Sequence, residues 1–351
     1  MEIFYVIKIL FLTIAAFIFT VAWTPLLTHF LYKYKLGKKI RNNGSTPVFS
    51  QMHAHKAGTP TMGGILIWLT ALIFILFFYY LAKIFPDSEI LEHLNFLSRR
   101  ETLLPLGVLI ATALVGLFDD WLDVRERGEK GGGGLNMKHR FLIYTAIACV
   151  GAWWFYFKLN WTLLYVPFLG TLEIAWWYIP FFIFVIVATA FSVNETDGLD
   201  GLAGGHLLTA YTAFGVIAFV LGRYDLAAFC AVIIGGLLAF LWFNIPPARF
   251  YMGDTGAMSL GVTLGVIALL TNTALLLPII GLVFVIESLS VILQVTSKKL
   301  RKGKKIFISA PFHHHLQAKG WGEPKIVMRL WLIAGVSSVL GLVIFLLDRF
   351  L

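Results

Sequence analysis

The chain has 351 residues, of which 59% are hydrophobic and only 13% are charged, and its mean hydropathy is +0.82. These values exclude an ordinary soluble globular protein, in which about a quarter of the residues are charged. The apolar residues occur in blocks long enough to cross a bilayer, so the composition predicts an all-α, polytopic integral membrane protein. Cys149 and Cys230 lie in separate apolar runs without a histidine or second cysteine nearby, which argues against a disulfide framework or a zinc site.

Ten apolar segments are predicted to span the membrane. In chain order they lie near 3–31, 62–82, 103–118, 141–157, 176–193, 202–221, 226–243, 257–271, 274–296 and 326–347. The first is too long for the apolar core of a cleaved signal peptide, so it is interpreted as a retained span. Only Thr271, Asn272 and Thr273 separate the eighth and ninth segments, so that region could be divided differently. With no internal repeat, residues 1–351 are expected to form a single helical membrane domain.

Positive charge is distributed unequally between the two sets of loops. Loops after odd-numbered segments contain twenty Lys and Arg residues, whereas loops after even-numbered segments contain five. By the positive-inside rule, the odd loops are expected in the cytoplasm and both termini outside. The basic face reflects either topology alone or attraction of an anionic substrate or lipid head group. Nucleic-acid binding has little support, because exposed aromatic residues are not interleaved with the cations.

Five polar clusters fall on the predicted cytoplasmic side. They are residues 59–64 before the second span, Asp119 and Asp120 at the end of the third, residues 194–201 after the fifth, residues 253–256 before the eighth, and His313, His314 and His315 after the ninth. Independent clusters would share one side by chance only about once in sixteen, so a common site is predicted.

The acidic residues suggest a divalent cation. On a helix, Asp119 and Asp120 would point about 100° apart and are therefore expected to have different roles. Negative charge is unfavourable at a helix C-terminus, so a cation should compensate it, although two such acids can also simply be solvated. Asp254 precedes a helix whose N-terminal dipole could hold a phosphate, or it could be an N-cap. Several aspartates without cysteine favour Mg²⁺ or Mn²⁺ shared with substrate phosphates.

The other polar positions allow two interpretations each. Asp197 and Asp200 are three residues apart and could share one face, or they could belong to a turn motif. Residues 313–315 are adjacent histidines whose side chains diverge, so they favour phosphate recognition or a surface tract over a zinc site. Glu287 lies within the ninth span and either pairs with another span or lines a cavity.

Six motifs occur in order along the chain. They are Thr59-Pro-Thr-Met-Gly-Gly64, Phe118-Asp-Asp120, Asn194-x-Thr-Asp-Gly-Leu-Asp-Gly-Leu-Ala203, Leu241-Trp-Phe-Asn244, Met252-Gly-Asp254 and Ala310-Pro-Phe-His-His-His315. Taken together, they resemble those of the bacterial phospho-N-acetylmuramoyl-pentapeptide transferases, the MraY family. The triple histidine and the following Gly320-Trp-x-Glu-Pro-Lys325 favour this family over other polyprenyl-phosphate N-acetylhexosamine-1-phosphate transferases, which share the acidic motifs.

The resemblance implies a ten-span, Mg²⁺-dependent enzyme of peptidoglycan biosynthesis, with Mn²⁺ as a substitute metal. Such an enzyme moves phospho-MurNAc-pentapeptide from UDP-MurNAc-pentapeptide to undecaprenyl phosphate, which releases UMP and forms lipid I. It would lie in the bacterial inner membrane, among membrane lipids, with its active site facing the cytoplasm. A homodimer is compatible with this assignment. Single displacement by the lipid phosphate and a two-step route through an enzyme carboxylate both fit these residues, and the single displacement is preferred.

The resemblance also implies residue roles. Asp254 would bind Mg²⁺ at the diphosphate, Asp119 would be the base that prepares the lipid phosphate, and Asp120 would assist at the same centre. The implied substrate contacts are Asn194, Asp197 and Asp200 on the nucleotide side, Asn244 and Tyr251 near uridine, His313, His314 and His315 at phosphate or sugar, Lys56 and Arg140 at diphosphate or lipid phosphate, and Thr61.

Two features depart from the family pattern. Glu195 stands where the family usually has an apolar residue, so either a nearby cation compensates it or the local metal affinity is altered. After Asp120 the usual lysine-rich stretch is replaced by a mixed-charge segment with the glycine run 131–134, which leaves the conformation of this loop open.

Two rival functions remain. A secondary transporter would use Asp119, Asp197 and Glu287 to carry protons or cations, but its acids should lie at mid-membrane. A sister transferase that uses UDP-N-acetylglucosamine would share the acidic motifs but not the triple histidine, and a test of both UDP-sugars would separate the two.

Overall fold

The computed structural model describes residues 2–37, 58–99, 101–125 and 134–350, most of them helical. The helices are α1 (Glu2–Lys33), α2 (Ile65–Ile84), α3 (Glu89–Leu94), α4 (Leu103–Val124), α5 (Met137–Trp153), α6 (Tyr178–Thr196), α7 (Leu202–Val220), α8 (Tyr224–Asn244), α9 (Gly253–Leu270), α10 (Leu277–Ile280), α11 (Leu282–Leu300), α12 (Phe312–Ala318) and α13 (Glu323–Phe350). A π-helical turn, Trp154–Lys158, extends α5, and 3₁₀ turns, Ala175–Trp177 and Ala274–Leu276, precede α6 and α10. Strands β1 (Leu163–Val166) and β2 (Gly170–Glu173) form an antiparallel hairpin in which Leu163 pairs with Glu173.

The predicted all-α, polytopic membrane architecture is confirmed. Within the described ranges, nine helices are long and apolar enough to cross a membrane, and the number is ten when the bent pair 274–280 and 282–300 is counted as one span. A hydrocarbon core offers no hydrogen-bond partners to the backbone, so such apolar segments must satisfy their peptide groups internally as helices. The ten spans correspond one to one to the ten predicted segments.

The ninth span contains a break that the hydropathy pattern does not predict. Helices α10 and α11 meet at Gly281 and are inclined by 83° to each other. The backbone groups freed at such a break need partners, and Ser338 Oγ of α13 donates to the Ile280 carbonyl at 3.2 Å. The preceding boundary, between the eighth and ninth spans, lies at residues 271–273 as predicted.

Helix α9 lies at the centre of the bundle. All residues of its spanning segment are buried, and it packs mainly against α4 and α6, while α8 packs against α1 and α7. Gly116 on α4 permits part of this packing, because a Cβ there would lie 2.6 Å from Cα of Thr255. The backbones of α4 and α9 therefore touch, which places Asp119 and Asp120 of α4 beside Asp254 in the first turn of α9.

The opposite end of the bundle holds the β1–β2 hairpin and a buried ion pair. Lys8 Nζ lies 3.3 Å from Asp225 Oδ1 and 3.5 Å from the Asn95 carbonyl oxygen. Nearby, Glu101 Oε2 accepts a hydrogen bond from Leu226 N at 3.2 Å. These contacts tie the second turn of α1 and the first turn of α8 to the segment that follows α3.

Candidate active site

Four predicted residues converge where helices begin or end. Asp119 lies near the end of α4, Arg140 in the first turn of α5, Asn194 in the last turn of α6 and Asp254 in the first turn of α9. Consecutive spans run in opposite directions, so the end of one odd span lies at the same level as the start of the next. We call these four residues the carboxylate centre.

Arg140 joins the members of the carboxylate centre. Its Nη2 atom lies 2.7 Å from Asp254 Oδ2 and 2.9 Å from Asp119 Oδ2, and its Nη1 atom donates to Asn194 Oδ1 at 3.0 Å. Asn194 Nδ2 in turn donates to Asp254 Oδ1. The Asp119 side chain is fully buried and that of Asp254 is 7% exposed, so desolvation makes their negative charges costly unless a cation offsets them. One arginine shared by two carboxylates leaves an excess of negative charge here.

Asp120 has a different role from Asp119, as their divergent directions on a helix predicted. It is fully buried, and its two oxygens accept hydrogen bonds from the backbone nitrogens of Asp254 at 3.0 Å and Thr255 at 2.9 Å. These are first-turn N–H groups of α9 that have no partner within their own helix. Thr61 Oγ1 also donates to Asp120, at 3.2 Å. Asp120 and Thr61 therefore hold the start of α9 and thereby position Asp254.

The glycine run after α4 ends against the carboxylate centre. Gly134 has φ +79°, and a Cβ on it would lie 2.8 Å from Asp119 Oδ1. The next residue, Leu135, donates its backbone N–H to the same oxygen. Residues 131–133 of the run and Lys56, another predicted site residue, lie outside the described residues.

The loop 197–201 is held by hydrogen bonds with two other segments, the one that precedes α9 and helix α13. Asp200 Oδ2 accepts from Ala248 N at 3.1 Å, and Asp200 N donates to Glu323 Oε1 at 2.8 Å. Trp331 Nε1 donates to the Gly201 carbonyl at 3.1 Å. Glu323 and Trp331 were not among the predicted site residues, although Glu323 belongs to the Gly-Trp-x-Glu-Pro motif, which could have indicated it.

Asn244 connects the loop 197–201 to the segment before α9. Its side chain is buried, its Oδ1 accepts from Gly201 N at 2.9 Å, and its Nδ2 donates to the Phe250 carbonyl at 2.8 Å. The adjacent Tyr251 is half-buried, and its hydroxyl hydrogen-bonds with the Thr59 side chain. Asn244 therefore fixes the backbone that presents the Tyr251 ring.

Tyr251 stands in an acidic environment. Burial raises the pKa of its phenol to about 12, and the nearby charges of Asp200, Glu323 and Asp197 act in the same direction. The phenol therefore stays protonated at neutral pH, as a neutral aromatic ring with a hydroxyl group. The structure thus brings Asp197, Asp200, Asn244 and Tyr251 together beside the carboxylate centre.

His313 is paired with the acid of the ninth span. Both side chains are fully buried, and Glu287 Oε2 lies 3.0 Å from His313 Nδ1 and 3.2 Å from His313 N. Glu287 thus pairs with the short helix α12, which is not a span, so neither of the two alternatives predicted from the sequence describes this contact. His313 Nε2 has no hydrogen-bond partner among the described residues and is directed at Gly198, where a Cβ would lie 2.8 Å from its Cε1 atom. The contact with Glu287 therefore orients the His313 imidazole toward the loop 197–201.

The three adjacent histidines diverge, as predicted. His314 Nδ1 lies 2.8 Å from Gln317 Oε1, within the same short helix. His315 Nδ1 accepts a hydrogen bond from Ile308 N at 3.2 Å, and burial together with Lys319 lowers the pKa of its imidazole. Of the three, His313 contacts the loop 197–201, whereas His315 binds the segment before α12.

Glu195, the residue that departs from the family pattern, lies between these groups. It is half-buried and within electrostatic reach of Arg140 and Asp254 on one side and of His313 and Glu287 on the other. Among the described residues, the Arg140 guanidinium is a permanent cation that can compensate its charge.

The donor set fits a metal ion that is shared with a substrate. No group of three or more His, Cys, Asp or Glu side chains in the part of the chain that the structure describes could hold a metal ion on its own. Asp119 and Asp254 nevertheless present two converging carboxylates that share a single cation. Mg²⁺ is usually held by one or two carboxylates together with water and substrate phosphates, so two acids suffice.

Comparisons with known proteins agree with the motif pattern. Residues 102–272 match the model for glycosyl transferase family 4, and residues 56–67 match phospho-N-acetylmuramoyl-pentapeptide-transferase signature 1. The phospho-N-acetylmuramoyl-pentapeptide-transferase of Chloroflexus aggregans is 38% identical over 347 residues, which cover 95% of this chain and 89% of the relative. That of Listeria welshimeri is 38% identical over 327 residues, covering 93% and 94%, respectively. That of Desulfotalea psychrophila is 36% identical over 347 residues, covering 94% and 89%.

These similarities include the acidic motifs and extend well beyond them. The signature match at residues 56–67 overlaps the Thr-Pro-Thr-Met-Gly-Gly motif, whose Thr61 supports Asp120. Because identities of 36–38% extend over 93–95% of its length, the chain belongs to the phospho-N-acetylmuramoyl-pentapeptide-transferase family.

Proposed function

We propose that this bacterial membrane protein transfers phospho-MurNAc-pentapeptide from UDP-MurNAc-pentapeptide to undecaprenyl phosphate, releasing UMP and forming lipid I. The observation that carries the proposal is the convergence of Asp119, Arg140, Asn194 and Asp254 at one end of the bundle. Transfer between two phosphates requires mainly positioning, charge neutralisation and a base, and this centre supplies groups for all three.

In the proposed reaction, an oxygen of the lipid phosphate attacks the phosphorus that is bonded to the sugar. The new P–O bond forms as the P–O bond to UMP breaks, and its electron pair leaves with UMP. Asp119 accepts the proton that remains on the lipid phosphate, since the second pKa of a phosphate monoester is about 6. Asp119 Oδ1 accepts from Leu135 N, whereas Oδ2 has no hydrogen-bond partner among the described residues, so we assign the proton to Oδ2 and keep the single displacement as the preferred route.

We assign the metal to Asp254, with Asp119 as the second carboxylate within reach. When bound, Mg²⁺, or Mn²⁺ in its place, would neutralise charge on the diphosphate and on the leaving UMP. Asp120 and Thr61 contribute by holding the first turn of α9, so that Asp254 does not have to reorganise. Arg140 carries donors in a planar fork that matches phosphate oxygens, which suits it to the diphosphate or the lipid phosphate.

The nucleotide is assigned to the neighbouring loops. Asn194, Asp197 and Asp200 are assigned to one side of the nucleotide. The neutral Tyr251 ring, whose backbone segment is held by Asn244, can stack on uridine. His313, oriented by Glu287, presents Nε2 toward the same loop for a phosphate or sugar oxygen, and His314 lies beside it with ring centroids 4.1 Å apart. His315 supports this segment by holding Ile308 N. Lys56 would add a cation from the basic segment before α2.

We further propose that the site faces the cytoplasm of a bacterial inner membrane, with both termini outside and the helices forming a single domain. The carboxylate centre lies where odd-numbered spans end, and the loops that follow these spans hold twenty cations in the sequence, which supports this orientation. A transporter is not favoured, because the acids of the carboxylate centre lie at helix ends rather than at mid-membrane.

The test is incubation of the purified protein with undecaprenyl phosphate, Mg²⁺ and either UDP-MurNAc-pentapeptide or UDP-N-acetylglucosamine, followed by detection of UMP and of the lipid product. UMP release that requires the lipid, the metal and the MurNAc substrate is expected. Release from UDP-N-acetylglucosamine alone would instead assign the chain to the sister transferases.

A further inference from the structure

Arg140 binds the same carboxylate, that of Asp254, to which the metal ion is assigned. Its Nη2 atom is 2.7 Å from Asp254 Oδ2, and Mg²⁺ binds carboxylate oxygens at about 2.0–2.1 Å. A metal on that oxygen would therefore lie within about 4.8 Å of Nη2, however the ligands are arranged. The guanidinium is largely buried, with 15% of its side chain exposed, so solvent screens the repulsion between the two cations only weakly.

Three of the four carboxylate oxygens of Asp254 and Asp119 accept hydrogen bonds from N–H groups. Asp254 accepts from Arg140 on Oδ2 and from Asn194 Nδ2 on Oδ1, and Asp119 accepts from Leu135 N on Oδ1. The fourth oxygen, Asp119 Oδ2, has no hydrogen-bond partner among the described residues and lies 2.9 Å from Arg140 Nη2 in an ion pair. A metal ion that enters this centre must therefore displace the guanidinium from at least one of the two acids.

We propose that Arg140 is an internal counter-ion that competes with the divalent cation for Asp254. The metal then binds tightly only when a nucleoside diphosphate is present to bind the guanidinium in place of Asp254. A diphosphate offers the planar guanidinium several anionic oxygens in its preferred geometry and offers the same metal additional ligands. Nucleotide and metal therefore bind cooperatively, and each raises the affinity for the other by the same factor. This inference rests on the metal assignment made for the proposed transferase.

The experiment is a titration of the detergent-purified protein with Mn²⁺, in which free Mn²⁺ is measured by electron paramagnetic resonance. Without nucleotide, Arg140→Gln should bind Mn²⁺ about tenfold or more tightly than the wild type, because the competing charge is gone. Lys138→Gln is the matched control: it removes one charge from an exposed position on the same helical turn and should leave the affinity unchanged. Asp254→Asn should abolish the binding in both backgrounds.

A second titration adds UDP, with the Mn²⁺ that UDP binds in protein-free solution subtracted. UDP should tighten Mn²⁺ binding to the wild type by about tenfold or more and to Arg140→Gln much less. Equal or weaker binding by Arg140→Gln without nucleotide, the same UDP enhancement in both proteins, or retained binding in Asp254→Asn would overturn the inference. If Arg140→Gln does not fold, the double variant Arg140→Gln/Asp119→Asn is compared with Asp119→Asn, and the double variant should bind Mn²⁺ more tightly.

The titrations use no lipid acceptor and detect no UMP. Their outcome is therefore independent of the transferase assay, and a failure of either one is distinguishable from a failure of the other.

Discussion

The two ends of the helix bundle both contain buried charges, but they balance them differently. At the end near the β1–β2 hairpin, Lys8 pairs with Asp225 and a backbone carbonyl, and Glu101, which is within electrostatic reach of both, has Arg223 near it as a second cation, so cations and anions are matched. At the other end, Arg140 is shared by Asp119 and Asp254, and Glu195 adds a further carboxylate within electrostatic reach.

The difference indicates which charges serve stability and which serve binding. A matched, hydrogen-bonded ion pair needs nothing further and holds helices together. A buried group of acids with too few cations carries a cost that a bound cation or a positively charged complex relieves. The comparison therefore predicts that substitutions at the hairpin end change stability, whereas substitutions at the carboxylate centre change activity.

The largest effect is expected for Asp254→Ala. Loss of this carboxylate removes the assigned metal ligand and should reduce Mg²⁺-dependent UMP release by about 10³-fold or more. The protein should remain folded, as judged by its thermal midpoint in detergent. Near-normal turnover would remove Asp254 from the site.

A somewhat smaller loss is expected for Asp119→Asn. The amide cannot accept the proton of the lipid phosphate, so kcat should fall by about 10²–10³-fold while the affinity for UDP-MurNAc-pentapeptide changes little. Comparison of single-turnover rates with equilibrium binding checks this split. If weaker nucleotide binding were the main effect, the assignment of Asp119 as the base would be wrong.

Gly134→Ala should reduce activity by about 10–100-fold, a loss typical when the support of a reacting group is displaced. The new Cβ would stand 2.8 Å from Asp119 Oδ1, at a φ of +79° that side chains rarely adopt. Gly170→Ala is the control, since Gly170 has φ +81° but nothing within 4 Å of an added Cβ. Steady-state rates of both variants measure the contact separately from the backbone strain, and equal losses would show that the contact with Asp119 does not matter.

Asp225→Asn should change stability rather than turnover. It leaves the buried Lys8 without its anion, and a loss of about 1–3 kcal/mol is expected, less than for a fully buried pair because Asp225 is 32% exposed. Thermal midpoints report the stability, and UMP release per folded molecule should stay near the wild-type value. Asp87→Asn, at an exposed acid on the same side, is the control and should change neither.

The smallest effect concerns Glu101, whose pKa is raised from its ordinary value mainly by burial. In the folded state it keeps its proton at pH values where the unfolded chain has already lost it, so the stability contributed by this group falls as pH rises from about 4.3 through the raised pKa. Glu101→Gln keeps an acceptor for Leu226 N and should remove that fall. Thermal midpoints of the two proteins between pH 4 and pH 7 would show it, and parallel curves would contradict it.

The transmembrane architecture could be predicted because hydrophobic length alone decides which segments enter a bilayer. The bend at Gly281 could not be predicted, because the carbonyl that the bend frees, that of Ile280, is satisfied by Ser338 of α13, which lies 58 residues further along the chain. The set of acids at the site could likewise be predicted from their position at the ends of apolar runs. The sequence also predicted that Asp119 and Asp120 differ, but it could not show that Asp120 is the one that faces the first turn of α9.

The order of apolar and polar residues thus determined by itself the position of the spans and the end of the bundle at which the acids gather, and the specific motifs indicated the family. Only the tertiary structure decided that Arg140 stands between Asp119 and Asp254, that Glu287 pairs with His313 and that Glu323 holds Asp200. The physical reason is range: burial in a bilayer depends on local composition, whereas the pairing of charges depends on which helix ends meet. The paired residues are far apart in the chain: 26 residues separate Glu287 from His313, and 114 separate Arg140 from Asp254.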